Sequence, residues 1–488
     1  IWKSMIRALL LLFPLLISIF SFAQKATLKG VVVDARTNET LIGVAVGITD
    51  GAGIVTDLDG RYSLKVSPGT YEVVFRYVGY DNQKINITLA AGEEKAIDIK
   101  LQVNSSQLND VVISAGKFEQ SIGDVPVSIA IIKPDLMESK ATVTCEAILD
   151  QVPGVQVIEN QISIRGGSGF SYGSGSRVLL MIDDIPMLAG DAGDIKWSSL
   201  PIENVEQIEV IKGASSVLYG SSALNGVVNI RTAYPKAVPM TKINFSNGFY
   251  MAGFGNQKGR KQDGTDTLFD RSGQKWWDGG GPYYVTGNFL HSRRIKENFD
   301  LVVGGNFYTN DGIKKGANEN RFRINTNTRW RSKKYAGLSY GLNSNYNEET
   351  GNVFFLWHNA DSVLIPQGDT DTATTTLSEY HTYRLNIDPF ITYIDSSGRK
   401  HSLKGRFYNT TNKNNTNQAS IANSYYAEYQ FQQQYDNGVT FTTGLTNTYT
   451  NVVAELYGDH TSNNFALFAQ GDLNWKRFNF TAGLRGEY

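Results

Sequence analysis

The chain has 488 residues and a formal net charge of -1; the length leaves room for about three domains, and the charge gives no footprint for nucleic acid. One cysteine, Cys145, excludes an intrachain disulfide and a multi-cysteine metal site. With 48 Gly, 12 Pro, 25 Tyr and 24 Phe, the composition suits many strands joined by turns and bearing aromatic faces.

Lys3 and Arg7 precede an apolar run from Ala8 to Phe22, and Ser21-Phe22-Ala23 precedes Gln24. The run falls short of the ~20 residues of a spanning helix, so residues 1–23 are predicted to be a secretory signal peptide, with Met5 as the start. No later stretch has the length and apolarity of a transmembrane helix.

Residues 24–102 alternate with a period of two between turn signals, which predicts a small β-sandwich. The pattern Gly30-x-Val32-x-Asp34, Thr56-Asp57-x-x-Gly60-x-Tyr62 and Tyr77-x-Gly79-Tyr80 resembles the carboxypeptidase-regulatory-like domain, which is not catalytic. The segment has no His and no zinc-ligand spacing. Asp57-x-Asp59-Gly60 lacks the downstream bidentate Glu of a calcium loop and reads as a plain turn.

Residues 103–118 form a polar linker that ends in Asp110-Val111-Val112-Ile113-Ser114-Ala115. This short β-prone peptide suits strand addition, in which main-chain hydrogen bonds give affinity and alternate side chains give specificity. On composition alone it would be an ordinary edge strand.

The segment 119–233 carries the densest set of motifs. Gln151-Val152-Pro153-Gly154 stops a short helix that begins near Cys145. Arg165-Gly166-Gly167 ends a strand. Val178 to Ile182 is a continuous apolar strand, expected where both faces are buried, and Asp183-Asp184 is a tight turn. From Glu203 to Lys212 the pattern puts Val205, Ile208, Val210 and Ile211 inward and the acids outward, before Gly213. Tyr219-Gly220 leads through Gly226 into Val227-Val228-Asn229-Ile230. Arg165, on an apolar strand, calls for a partner among Glu203, Glu206 and Glu209.

From residue 234 to 488 the texture changes to long amphipathic strands that interleave aromatics and aliphatics with Asn, Thr, Ser, Gly and Arg. Short turns alternate with long polar loops, the pattern of an outer-membrane β-barrel. The fold class predicted is mainly β, with an N-terminal β-sandwich, an α+β middle domain and the first half of a ~22-stranded transmembrane antiparallel barrel. About half that number of strands precedes Tyr488, so the chain is expected to be a fragment, since a half barrel leaves open edges in lipid.

In order, these motifs resemble the TonB-dependent outer-membrane receptors, with residues 122–232 matching their plug domain and Asp110–Ala115 standing where their TonB box lies. Gly213-Ala214 replaces the family's frequent Gly-Pro. The resemblance implies active uptake of a scarce nutrient (siderophore-iron, cobalamin, peptide or oligosaccharide) across the outer membrane of a Gram-negative bacterium, with the N-terminal domain periplasmic. It implies as partners TonB with ExbB/ExbD, outer-membrane lipid and the nutrient ligand, and it leaves open a surface lipoprotein. No cofactor, metal or nucleic acid is implied. TonB binding falls to Asp110, Val111, Val112, Ile113, Ser114 and Ala115. Ser168, Phe170, Tyr172 and Met187 are the candidate ligand contacts at the plug apex. Arg165, Gly166, Glu209, Lys212, Gly213, Tyr219 and Gly220 are read as structural residues of the plug.

Two rivals are weighed. Gly169-Phe170-Ser171-Tyr172-Gly173 matches the nucleophile elbow of hydrolases, yet no helix pattern follows and all five His lie beyond residue 290, so no enzyme is predicted. The glycine tract lacks the Gly-Lys-Ser/Thr of a phosphate loop. The second rival is a surface adhesin without transport.

Overall fold

The computed structural model describes residues 25–488 apart from 49–52, 78–79, 103–110, 113, 119, 123–124, 140–143, 159–160, 168–176, 194, 237, 252–255, 261–265, 271–275, 278–279, 360–362, 370, 396, 436–437 and 476–477. The chain divides into two compact units, one reaching to residue 107 and taking in 396–398, the other formed by 108–395 and 399–488.

The first unit is two small sheets around one core. β1 (Ala26–Asp34), β2 (Ala45–Ile48), β3 (Gly53–Val55), β4 (Arg61–Val66), β5 (Gly69–Arg76), β6 (Gln83–Leu89), β7 (Glu94–Ala96) and β8 (Ile99–Leu101) follow in order. One sheet runs β4-β1-β7 with β8 also on β1, and the other runs β3-β2-β5-β6. The period-two pattern works as expected: in β4, Tyr62, Leu64 and Val66 are buried and Arg61, Ser63 and Lys65 exposed, which puts the first set into a core with Leu28, Val32 and Phe75. The carboxylate of Asp34 accepts from the Arg36 and Thr37 amides, each at 2.7 Å, and from the Tyr80 hydroxyl at 2.7 Å. Burial pushes its pKa up, but these hydrogen bonds outweigh that and hold it below the usual carboxylate value. Asp57 accepts from the Asp59 and Arg61 amides and closes a turn on Gly60, so this acidic segment is a turn.

The second unit starts with β9 (Val111–Val112) and β10 (Gln120–Ser121), paired antiparallel. A five-stranded sheet follows, in the order β11 (Ile129–Ile132), β16 (Val205–Ile211), β17 (Gly226–Thr232), β14 (Val178–Ile182) and β15 (Ile185–Pro186), with the hairpin β12 (Val155–Ile158) and β13 (Gln161–Ile164) beside it. The unbroken apolar run of β14 has a simple cause. Val178, Leu180 and Ile182 pack into one hydrophobic cluster, and Leu179 and Met181 pack into a second on the opposite face. Asp183 and Asp184, at φ 52° and 68°, make the two-residue turn of the β14–β15 hairpin, the geometry of a type I′ turn. The helix near Cys145 is shorter than expected, Glu146–Leu149.

Around this domain lies an eleven-stranded antiparallel sheet: β18 (Met240–Phe249), β21 (Tyr283–Ile295), β22 (Phe299–Asn310), β23 (Glu319–Arg331), β24 (Leu338–Val353), β25 (Ser378–Ile394), β26 (Lys400–Asn414), β27 (Ser420–Gln434), β28 (Val439–Ala454), β29 (His460–Trp475) and β30 (Phe478–Glu487). The expected loop after β18 holds a small hairpin, β19 (Asn256–Arg260) with β20 (Asp266–Asp270).

The alternation in this sheet is the reverse of a water-soluble one. On β23, Arg323 is 1% exposed while its neighbours Phe322 and Ile324 are 52% and 43% exposed. Polar side chains face inward and apolar ones outward, as a barrel wall in lipid requires. At the short-turn end, outward aromatics stack across strands: Phe299 on Trp330 at 4.4 Å, Trp330 on Tyr340 at 6.1 Å, and Trp475 on Phe478 at 6.3 Å. Amphipathic rings at that level form an interfacial girdle. Among the described residues, no helix is long and apolar enough to cross a membrane.

The plug core fixes one glycine strictly. A Cβ on Gly226 would collide with the Ile211 carbonyl oxygen and meet Ile164 Cδ1 at 2.7 Å. Gly226→Ala is expected to destabilise the plug sheet by about 1–3 kcal/mol, read as faster proteolysis within residues 121–232 with the eleven-stranded sheet unaffected.

Candidate functional site

The segment after β9 runs into the plug and stops there. Ser114 is fully buried, and its three polar groups are all engaged. Its amide donates to Glu209 Oε2 at 2.8 Å, the Tyr219 hydroxyl donates to its carbonyl at 2.7 Å, and Asn229 Nδ2 donates to its Oγ at 2.8 Å. The partners come from three places: Glu209 from β16, Asn229 from β17 and Tyr219 from the helix Ser216–Tyr219. β16 and β17 pair in register at Glu209↔Asn229, so both side chains arrive side by side.

Two chains of contacts leave this node for the barrel wall. In the first, Asn229 Nδ2 also donates to Asp184 Oδ1 at 2.8 Å. Asp184 in turn pairs with Arg231 at 2.5 Å and with Lys404 of β26 at 2.7 Å. Burial pushes the Asp184 pKa up, but Arg231 and Lys404 outweigh it and hold the carboxyl well below the usual range. Its neighbour Asp183 is raised by burial, even though it accepts from the Thr232 amide and hydroxyl.

The second chain runs through Lys117. Its ammonium sits 5.1 Å from the Tyr219 ring and 4.8 Å from the Phe468 ring, and it pairs with Glu428 of β27 at 2.5 Å. Both side chains are 2% exposed. Burial pulls the Lys117 pKa down, and the Glu428 charge opposes that. Lys117 also adopts φ 60°, a left-handed conformation that costs a non-glycine residue energy.

Other plug segments are pinned to the wall. Glu203 pairs with Arg323 at 2.5 Å and accepts from Asn325, and the Ser198 carbonyl accepts from Arg323 at 2.7 Å. The loop after β15 is held by Asp191, which accepts from Asn412 at 2.6 Å and Ser420 at 3.0 Å, while the Tyr457 hydroxyl donates to its carbonyl at 2.8 Å.

Of the residues singled out from sequence, Ser114, Glu209 and Tyr219 meet at one point. Lys212 donates to the Pro153 carbonyl at 2.9 Å and ties β16 to the turn before β12. Gly166 and Gly220 have positive φ, 66° and 86°, and Gly213 follows β16. Two expectations are corrected. Arg165 is exposed at φ 54°; it ends β13 at a turn, and Arg323 of the barrel takes the Glu203 partner proposed for it. Glu209 does not face outward but is fully buried, because the other face of β16 carries the Ser114 contact. Met187 is buried in the plug core, with its sulfur 3.4 Å from Arg406 Nη1, rather than open to a ligand. Asp110, Ile113, Ser168, Phe170 and Tyr172 lie outside the described residues, as does the Ser171 of the elbow-like motif. Sequence reading missed Lys117, Asn229, Arg323 and Glu428. A period-two run of Arg on β23 was the available signal for Arg323.

Burial pushes the Cys145 thiol up to about 12, so it is a packing group. Among the described residues, no cluster of His, Cys, Asp or Glu could hold a metal ion.

Comparison with known proteins agrees with this geometry. Residues 121–227 match the TonB-dependent Receptor Plug Domain, and residues 28–113 match the CarboxypepD_reg-like domain. TonB-dependent receptor P3 of Formosa agariphila is 26% identical over 351 residues, covering 67% of this chain and 33% of that protein. TonB-dependent receptor SusC of Bacteroides thetaiotaomicron is 31% identical over 258 residues, covering 49% and 24%. The chain thus spans no more than about a third of the length of these curated relatives. The solved structure of the siderophore receptor PirA from Pseudomonas aeruginosa shares the fold, with TM-score 0.52, 17% identity, and 75% of this chain and 58% of that one covered.

Two outcomes test the node. Lys117→Met leaves Glu428 buried without its partner and is expected to weaken plug docking by about 3–5 kcal/mol, read as plug release at lower urea; Lys117→Met with Glu428→Leu is expected to recover most of that loss. For Asp184, a folded pKa below the free value, about 4, adds stability that is complete above that value and is lost as pH falls through the folded one. Plug docking measured by hydrogen exchange is therefore expected to hold from about pH 7 to about pH 5 and to gain an acid-labile phase only below about pH 4, a phase that Asp184→Asn removes. The chain carries a TonB-dependent Receptor Plug Domain behind a CarboxypepD_reg-like domain, and in both it is similar to TonB-dependent receptors.

Proposed function

We propose that the chain takes up a scarce nutrient across the outer membrane by the TonB-dependent route. The observation that supports this reading is the docking of the segment around Ser114 on the plug. At rest Val111–Val112 is paired with Gln120–Ser121, and Ser114 is held by Glu209, Tyr219 and Asn229. The pairing with Gln120–Ser121 takes one edge of this strand, and the amide, carbonyl and hydroxyl of Ser114 are all engaged, so capture of the peptide through Ser114 requires the node to open. Nutrient bound above the plug loosens the plug contacts with the wall. The freed peptide, residues 110–115, pairs with a strand of TonB in the periplasm, and energy from the inner membrane through ExbB/ExbD draws on it. Force applied at Ser114 reaches the plug through β16 and β17 and the wall through Lys117 and Asp184.

No covalent step is involved, so no enzyme activity follows. The cargo class in this reading spans siderophore-iron, cobalamin, peptide and oligosaccharide, and a surface lipoprotein would act as an accessory to the long loops. Deleting residues 110–115 is expected to abolish uptake while leaving nutrient binding at the cell surface intact. Uptake that survives the deletion would rule the mechanism out. Loss of both binding and uptake would point to a misassembled barrel, which heat-modifiable migration on a gel detects.

A further inference from the structure

We propose that the inner wall at β23 is a cationic track for anionic cargo, uncovered when the plug moves; this rests on the uptake reading above. Strand alternation places Arg321, Arg323, Arg329 and Arg331 on the inner face of β23, a column from the long-loop end to the short-turn end. Near the lower end, Asp300 receives guanidinium contacts from Arg294, Arg329 and Arg331, so one carboxylate is shared by three cations. Among the described residues, the ion pair of Arg323 is made across the interface, with Glu203 of the plug at 2.5 Å. Arg329 lies 4.2 Å from the ring of Tyr234, in the segment that follows the last plug strand.

At the upper end, Arg321 is 2% exposed in its side chain and pairs at 3.3 Å with Glu319. Its Nη2 is buried with no hydrogen-bond partner. A buried guanidinium nitrogen without a hydrogen-bond partner is costly, and an anionic oxygen would satisfy it. Between the arginine pairs, Asn325 and Asn327 continue the polar line. In the plugged state Glu203 therefore stands in for an anion, and moving the plug withdraws it. What is left is a line of fork-shaped donors that match carboxylate or phosphate oxygens two at a time. The cargo assigned is a solute bearing several anionic oxygens.

The test uses the intact receptor in a planar bilayer under a potassium chloride gradient, with urea on one side to displace the plug. The reversal potential is expected to show chloride preference. Arg321→Gln with Arg329→Gln is expected to lower that preference at least about twofold, while Arg321→Lys with Arg329→Lys keeps it, since selectivity in such pores follows the charge lining them. Citrate is expected to block the chloride current and sucrose at equal concentration to leave it unchanged. A potassium preference, an unaltered double Gln variant, or block by sucrose but not citrate overturns the track and leaves the uptake reading standing. A receptor that passes no current once its plug is displaced overturns both.

Discussion

Charges buried between plug and wall must be paired, and most of this structure follows from that constraint. A charge removed from water is tolerated only against a partner in good geometry, and here the partners sit on opposite sides of one interface. Glu203 and Asp184 of the plug meet Arg323 and Lys404 of the wall, and Lys117 on the plug side meets Glu428. Such an interface fits tightly while its charges are matched. It separates only when several pairs are broken or hydrated together, which is the behaviour that the proposed uptake route requires of the plug.

Ser114 gives that interface a handle. It lies two residues after the β9 pairing and is bound by β16, β17 and the helix ending at Tyr219. Asn229 serves Ser114 and Asp184 at once, and Tyr219 serves Ser114 while lying under Lys117. A displacement of Ser114 therefore disturbs both routes to the wall before any strand of the plug sheet has to break. The ring and amide contacts are individually modest, which suits a node that must release.

The broad architecture was legible in sequence because each layer has its own period. The turn-punctuated alternation of residues 24–102, the two-sided apolar run at 178–182 and the aromatic-polar interleaving after residue 240 each follow from which faces are buried. The pairing of charges was less legible. Arg165 looked buried because its neighbours Ile162 and Ile164 are apolar, yet it closes a hairpin and faces solvent. Glu209 looked exposed because it alternates with the inward Ile208 and Val210 in β16, yet the Ser114 amide is bonded to it. The two errors have different causes: Arg165 sits where its strand ends, beyond the reach of the strand's alternation, whereas for Glu209 periodicity reports a strand's own two faces and carries no information about a residue 95 positions away that lies on one of them. Lys117–Glu428, separated by 311 positions, was out of reach for the same reason.

Ser114 is held at rest by a buried node. Site-resolved hydrogen exchange of the Ser114 amide in the intact, unliganded receptor tests it most directly. Slow exchange is expected, because the amide is buried and bonded to Glu209, and Glu209→Gln is expected to speed it. Free exchange of the Ser114 amide in the resting receptor, as fast as in an unstructured linker, would contradict it.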